Sequence, residues 1–169
     1  VDAENAGEVT VNANATGGTA GGSDTEVGDG GQASLGTVRG TSTNNESVSV
    51  SGSITGGSGG DATADADAGD GIAAFLTDVV EAVTDGAVSL FQSATGGDSG
   101  SVEDGENGTA GEASSTLQVE QNASSLEVTA EATGGSGGER DSDSGTAAAG
   151  ATATATSSAM NDMGAAEAE

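Results

Sequence analysis

The chain has 169 residues, with 28 Asp and Glu against only Arg39 and Arg140, for a formal charge of −26. It has no Cys, His, Lys or Pro, which excludes disulfides, thiolate zinc sites, imidazole bases and Schiff-base lysines. The charge excludes direct nucleic-acid binding, which needs a basic surface, and anionic membranes repel the chain. Cations are the natural counterparts, either bulk salt or Ca²⁺.

Val, Ile, Leu and Phe number 23, below the roughly 20% of a chain at which high charge goes with disorder. Ordering costs about 1–2 kcal/mol of backbone entropy per residue, and burying a large apolar side chain returns about 1.5–3 kcal/mol. An ordered fold of this composition therefore needs a second source of stability.

In chain order, Val1–Glu8 reads as an N-terminal extension. The start at Val1 rather than Met suggests a removed secretory leader and an extracellular protein. Four decapeptides then align without a gap: VTVNANATGG (9–18), VSVSGSITGG (48–57), VSLFQSATGG (88–97) and LEVTAEATGG (126–135). Their spacings of 39, 40 and 38 residues divide 9–164 into repeats 9–47, 48–87, 88–125 and 126–164, leaving 165–169 as an acidic tail.

Within a decapeptide, aliphatic residues alternate with Ser, Thr or Asn at period two, which predicts a strand. The closing pairs Gly17–Gly18, Gly56–Gly57, Gly96–Gly97 and Gly134–Gly135 are expected to supply positive φ and turn the chain. Second strands are expected around 33–42, 115–121 and 149–157. Repeat two differs, because Ile72, Phe75, Leu76, Val79, Val80 and Val83 recur at three- and four-residue spacing. With Asp70 as cap and Gly86 as stop, this predicts a short helix over 72–84, a further buried strand being the alternative.

Stacked repeats offer the second source of stability. If repeats lie over one another as rungs, each strand's N–H and C=O groups pair with the rungs above and below, and small side chains form close ladders. The absence of Pro suits such ladders. The expected fold is thus mainly β, a repeat β-solenoid or cross-β-like stack of four repeats of about 39 residues. Its columns would include Val9, Val48, Val88 and Leu126, and Thr16, Thr55, Thr95 and Thr133.

The V-x-V-x-x-x-A-T-G-G units, over roughly 9–164, resemble the imperfect repeats of biofilm functional amyloids such as the curli subunit. The resemblance is one of architecture and carries no residue roles. It implies a self-assembling structural subunit of an extracellular fibre, a homopolymer joined by end-to-end stacking. The alternatives are a secreted cation-binding module of an adhesin and an acidic, largely disordered protein.

Among local motifs, Asp65, Asp67 and Asp70 before Gly71 resemble a calcium loop, which makes calcium the one candidate cofactor. The reading set against it is a solvated acidic turn. Asp141-Ser-Asp143-Ser-Gly145 is a weaker instance. Asp61–Asp70, Val102–Glu106 and Glu139–Asp143 are the stretches expected to collect cations. TGGSGG at 55–60 and 133–138 lacks the Lys of a phosphate loop and reads as structural. Asn14, Asn45, Asn107 and Asn122 lie in N-x-S/T sequons, candidate glycosylation sites. No apolar pocket separates a pair of carboxylates into acid and base, so no enzyme is expected. The apolar stretch 72–91 is broken by Asp78, Glu81 and Asp85, so no membrane insertion is expected.

Overall fold

The structure is a computed structural model that describes residues 1–141, 146–162 and 165–169. Among these residues the chain is all β. Its strands are β1 (Asp2–Asn5), β2 (Val9–Thr16), β3 (Val38–Ser42), β4 (Val48–Thr55), β5 (Ala74–Thr77), β6 (Val80–Val83), β7 (Ala87–Thr95), β8 (Ala113–Glu120), β9 (Ser125–Thr133), β10 (Ala153–Met160) and β11 (Ala165–Ala168).

The decapeptides form the first face, a five-stranded parallel sheet in the order β11-β9-β7-β4-β2. Alternation fixes which side of each strand is buried: in β4, Val48, Val50, Gly52 and Ile54 point inward and the serines outward. Register follows the sequence repeat without a slip. Val9 pairs with Val48, Val48 with Val88 and Val88 with Leu126, while Thr16, Thr55, Thr95 and Thr133 form a second column. A one-residue shift would turn every aliphatic side chain outward, so burial itself holds the register.

The opposite face consists of two three-stranded parallel sheets, β1-β3-β6 and β10-β8-β5. Each circuit of the chain adds one rung to each face, which makes the molecule a β-solenoid of about four coils with spacing near 39 residues. Residues 1–8 and 165–169, expected as an extension and a tail, contribute β1 and β11 to the stack. The interior between the faces is aliphatic, with Val38, Val48, Val50, Leu90, Leu117, Leu126 and Val128 at most 1–2% exposed.

The helix expected over 72–84 is instead β5 and β6, separated by Asp78 and Val79. Asp78 has φ 49° and breaks the alternation. Leu76 and Val80, on either side of it, both face the core at a spacing of four, which period-two alternation and a helix share. Phe75, counted toward the helix's apolar face, is 60% exposed. The break is held from inside. Gln92 is fully buried on β7, its Oε1 accepts the Val79 N–H at 3.0 Å, and its Nε2 donates to Ser115 Oγ and the Thr116 carbonyl, both at 3.1 Å. One amide thus satisfies a donor that the interrupted ladder leaves over.

Candidate functional site

Beyond each decapeptide the coil extends into a glycine-rich arm, with an outgoing limb (17–22, 56–60, 96–100, 134–138) and a returning limb (28–31, 69–72, 108–111, 148–151). The Gly-Gly pairs do not turn the chain by positive φ as expected. Among the described residues no glycine has φ in the left-handed region, and the positive-φ residues are Asn45, Ala64 and Asp78. The glycines are required by close approach instead.

Outgoing and returning limbs interleave, so that hydrogen bonds run in single file through the stack. The Gly31 N–H donates to the Gly18 carbonyl, Gly57 to Gly31, Ile72 to Gly57, Gly97 to Ile72, Gly111 to Gly97, Gly135 to Gly111 and Ala151 to Gly135, all at 2.7–3.0 Å. Gly56 and Gly59 donate along their own limb to Thr95 and Asp98 of the next coil, while Gly57 and Gly60 donate across to Gly31 and Gly28. The pattern repeats every three residues, the period of polyproline-II chains. Two positions in three lie against neighbouring backbone, and the third points away. G-G-S-G-G is the sequence form of that geometry, with Ser58 and Ser136 at the outward position. A Cβ on Gly97 would overlap the Gly57 carbonyl oxygen, and one on Gly57 the Gly18 carbonyl oxygen.

Many acids of the arms and loops brace adjacent coils. Asp29 Oδ1 accepts the Asp70 N–H at 2.9 Å, and Asp70 Oδ1 accepts the Thr109 N–H at 2.7 Å. Asp61 does the same for Ser101 (2.7 Å), Asp67 for Glu106 (2.8 Å), Asp78 for Gln118 (2.7 Å) and Asp98 for Ser136 (2.6 Å). Each bond joins residues 38–41 apart, one coil to the next. Arg140 reaches the Asp104 carbonyl at 2.8 Å in the same manner.

Of the calcium-loop residues, Asp67 and Asp70 thus turn to backbone N–H groups of the following coil, and Asp65 sits in an exposed turn beside Ala64. Among the described residues no three carboxylates are gathered to hold a metal ion. Asp143 and Gly145 lie outside the described residues. Of the sequon residues, Asn14, Asn45 and Asn122 are exposed, whereas Asn107 is half-buried and donates from Nδ2 to the Thr146 carbonyl at 2.7 Å.

The inter-coil carboxylates and the buried role of Gln92 were missed in the sequence. A signal for the first exists: Gly28-Asp29-Gly30 and Gly69-Asp70-Gly71 are the same tripeptide one coil apart. For Gln92 there is none, because its partners are defined by a break in the facing strand.

A groove of about 520 Å³ runs across the rungs over Val48, Val88 and Leu126, with Glu8, Glu127 and Glu167 on its rim. No helix among the described residues is long and apolar enough to cross a membrane. At the ends of the first sheet, among the described residues, β2 pairs only with β4 and β11 only with β9. Compared with models of known families, with characterised proteins and with solved structures, the chain matches none of them.

Proposed function

We propose that the protein is a structural subunit of an extracellular fibre, built by stacking solenoids coil upon coil. One observation carries this reading. In the column Gly18–Gly57–Gly97–Gly135, each later glycine is required because a Cβ would strike the carbonyl of the preceding coil, yet a Cβ on Gly18 would meet nothing within 4 Å. Gly21 is likewise unobstructed, whereas its counterpart Gly60 would strike the Gly21 carbonyl. The end coil keeps glycine where its own packing does not call for it, and another coil laid against it would. The β2 edge offers that coil the same Val, Ala and Thr columns that β4 offers to β2.

Charge opposes such growth. Carboxylates on neighbouring subunits repel across a Debye length of about 8 Å at physiological salt, which shrinks to about 3 Å at 1 M. Filament mass, followed by negative-stain microscopy and pelleting, is expected to rise from low salt to 1 M NaCl. Gly18→Ala supplies the decisive arm. It should leave the subunit's thermal midpoint unchanged and abolish long filaments. Filaments that grow equally well from Gly18→Ala, or wild-type protein that stays as small particles at every salt, defeat the reading.

A further inference from the structure

The outward side of the first face differs from the rest of the protein. On β2, β4 and β7 it consists of Ser, Thr and Asn with one aromatic, Phe91, and carries no charge, although the chain holds 28 carboxylates. Among the described residues, charge enters this face at Glu127 and Glu131 on β9, at Glu167 on β11 and at Glu8 just before β2, which the axis below sets opposite Ala165. The second face, by contrast, carries Asp2, Glu4, Arg39, Glu81 and Glu120 outward.

The geometry points to this charge-free face as the docking surface for a second copy of the chain, related by a two-fold axis along the strand direction over β7. Three observations select that partner and that axis. First, two chains of −26 repel, and this is the surface where they can approach without setting carboxylates against one another. Second, β7 is the middle rung of five, so the axis exchanges β4 with β9 and β2 with β11 while keeping the columns. Glu131 then faces Ser53, Glu127 faces Ser49 and Glu167 faces Thr10, as the register dictates. A two-fold axis along the stack would instead bring the glutamates of β9 onto facing strands. Third, Phe91, half-buried on the middle rung, meets its own copy at the centre of the contact, where an aromatic anchor contributes most.

Eight-residue strands at about 3.3 Å per residue, stacked about 4.8 Å apart over five rungs, give roughly 600 Å² per copy. Counting both copies, that is about 1,200 Å², the lower end for specific interfaces. The pairing is therefore weak and concentration-dependent for single subunits. It uses the sheet face and not the coil ends, so it stands apart from end-to-end growth.

Sedimentation equilibrium on the full chain at physiological salt, where the Debye length is about 8 Å, tests it, with circular dichroism as the check on folding. Gly18→Ala, which blocks end-to-end growth on the reading above, should show a two-copy species and is the background for the variants below. Ser53→Glu sets a carboxylate against Glu131 of the partner at both symmetric positions and should weaken pairing about tenfold or more. Ser53→Lys should strengthen it, and Phe91→Ser should weaken it by about tenfold. The column already accepts Glu131 in β9, so Ser53→Glu folds, and Thr116→Glu on the second face should change nothing. A protein monomeric at all concentrations overturns the proposal, as does a dimer indifferent to Ser53→Glu and Phe91→Ser. Equal weakening by Lys and Glu at position 53 overturns the two-fold register. Adsorption to ice or crystalline polysaccharide that Phe91→Ser abolishes, without any dimer, assigns the face to a solid ligand and overturns the proposal too.

Discussion

The two halves of each coil solve the same problem by different means. In the strand half, side chains decide: Val11, Val50, Leu90 and Val128 stack in one buried column, and alternation holds the register. In the arm half, the backbone itself is the packing group. Limbs alternate through seven consecutive inter-limb hydrogen bonds, and most of the positions that face neighbouring backbone are glycine, with Ile72 and Ser99 as exceptions. The difference explains how a chain with 23 large apolar residues orders at all. Much of each arm asks for few apolar side chains, because its N–H and C=O groups are paired with neighbouring limbs at a spacing that glycine permits. The cost of this solution is intolerance: a strand column accepts Val, Leu or Ala, whereas in the column Gly57–Gly97–Gly135 a Cβ would strike the carbonyl of the preceding coil.

That asymmetry gives the largest expected effect. Gly97→Ala puts a methyl group against the Gly57 carbonyl, and the backbone on either side is fixed by bonds to Ile72 and Gly111. Relief requires separating two coils, so the substitution should cost about 4 kcal/mol or more, or prevent folding. Leu90→Ala, in the best-packed part of the strand half, should cost about 3 kcal/mol, because a core cavity can partly collapse. Denaturant unfolding of the two variants beside Gly18→Ala ranks them. If Leu90→Ala is the most damaging of the three, the division of labour between the halves is wrong.

The strand half was far more legible than the arm. Val9, Val48, Val88 and Leu126 announce their column because period-two alternation and a constant Gly-Gly boundary are both written in the residues. Coil two misleads because Leu76 and Val80 lie four apart, a spacing that strand and helix share, while Asp78 between them turns outward at φ 49°, and the Gln92 amide that sustains the break lies in the next strand of the chain. The arm glycines were visible but misassigned. Gly56, Gly57, Gly59 and Gly60 spell a three-residue period, yet close approach and positive φ both call for glycine, and sequence alone does not separate them. For the acids, Asp67 and Asp70 show calcium-loop spacing along the chain, while the backbone N–H groups they accept lie one coil away, which no local pattern displays.

A middle-sized effect tests where the halves meet. Gln92→Met preserves volume and removes the acceptor for Val79 and the donor to Ser115 and Thr116. A buried donor left without a partner costs about 1–3 kcal/mol, and the variant should lose about 2 kcal/mol. Hydrogen exchange supplies a readout that simple loss of packing does not move. Protection should fall first at the Val79 amide, with Leu90 and Val128 little affected. Uniform loss of protection across the sheet argues that Gln92 acts only as filler.

The smallest expected effect concerns the carboxylates that join coil to coil. Asp70 accepts the Thr109 N–H at 2.7 Å from an exposed position, so water competes for both groups. Asp70→Ala should therefore cost only about 0.5–1 kcal/mol. Asp70→Asn separates the two things the residue does. Its amide oxygen can still accept the N–H, while one negative charge leaves a chain of −26. At low ionic strength the relief of repulsion offsets the weaker acceptor, and the variant should match or slightly exceed wild type. At 1 M NaCl, where the Debye length is about 3 Å, the relief disappears and the weaker bond shows as a small loss. The sign of the Asp70→Asn effect should therefore reverse with salt, whereas Asp70→Ala stays destabilising throughout. Equal behaviour of the two variants at both salts means that charge, and not the bond to Thr109, is what the residue contributes.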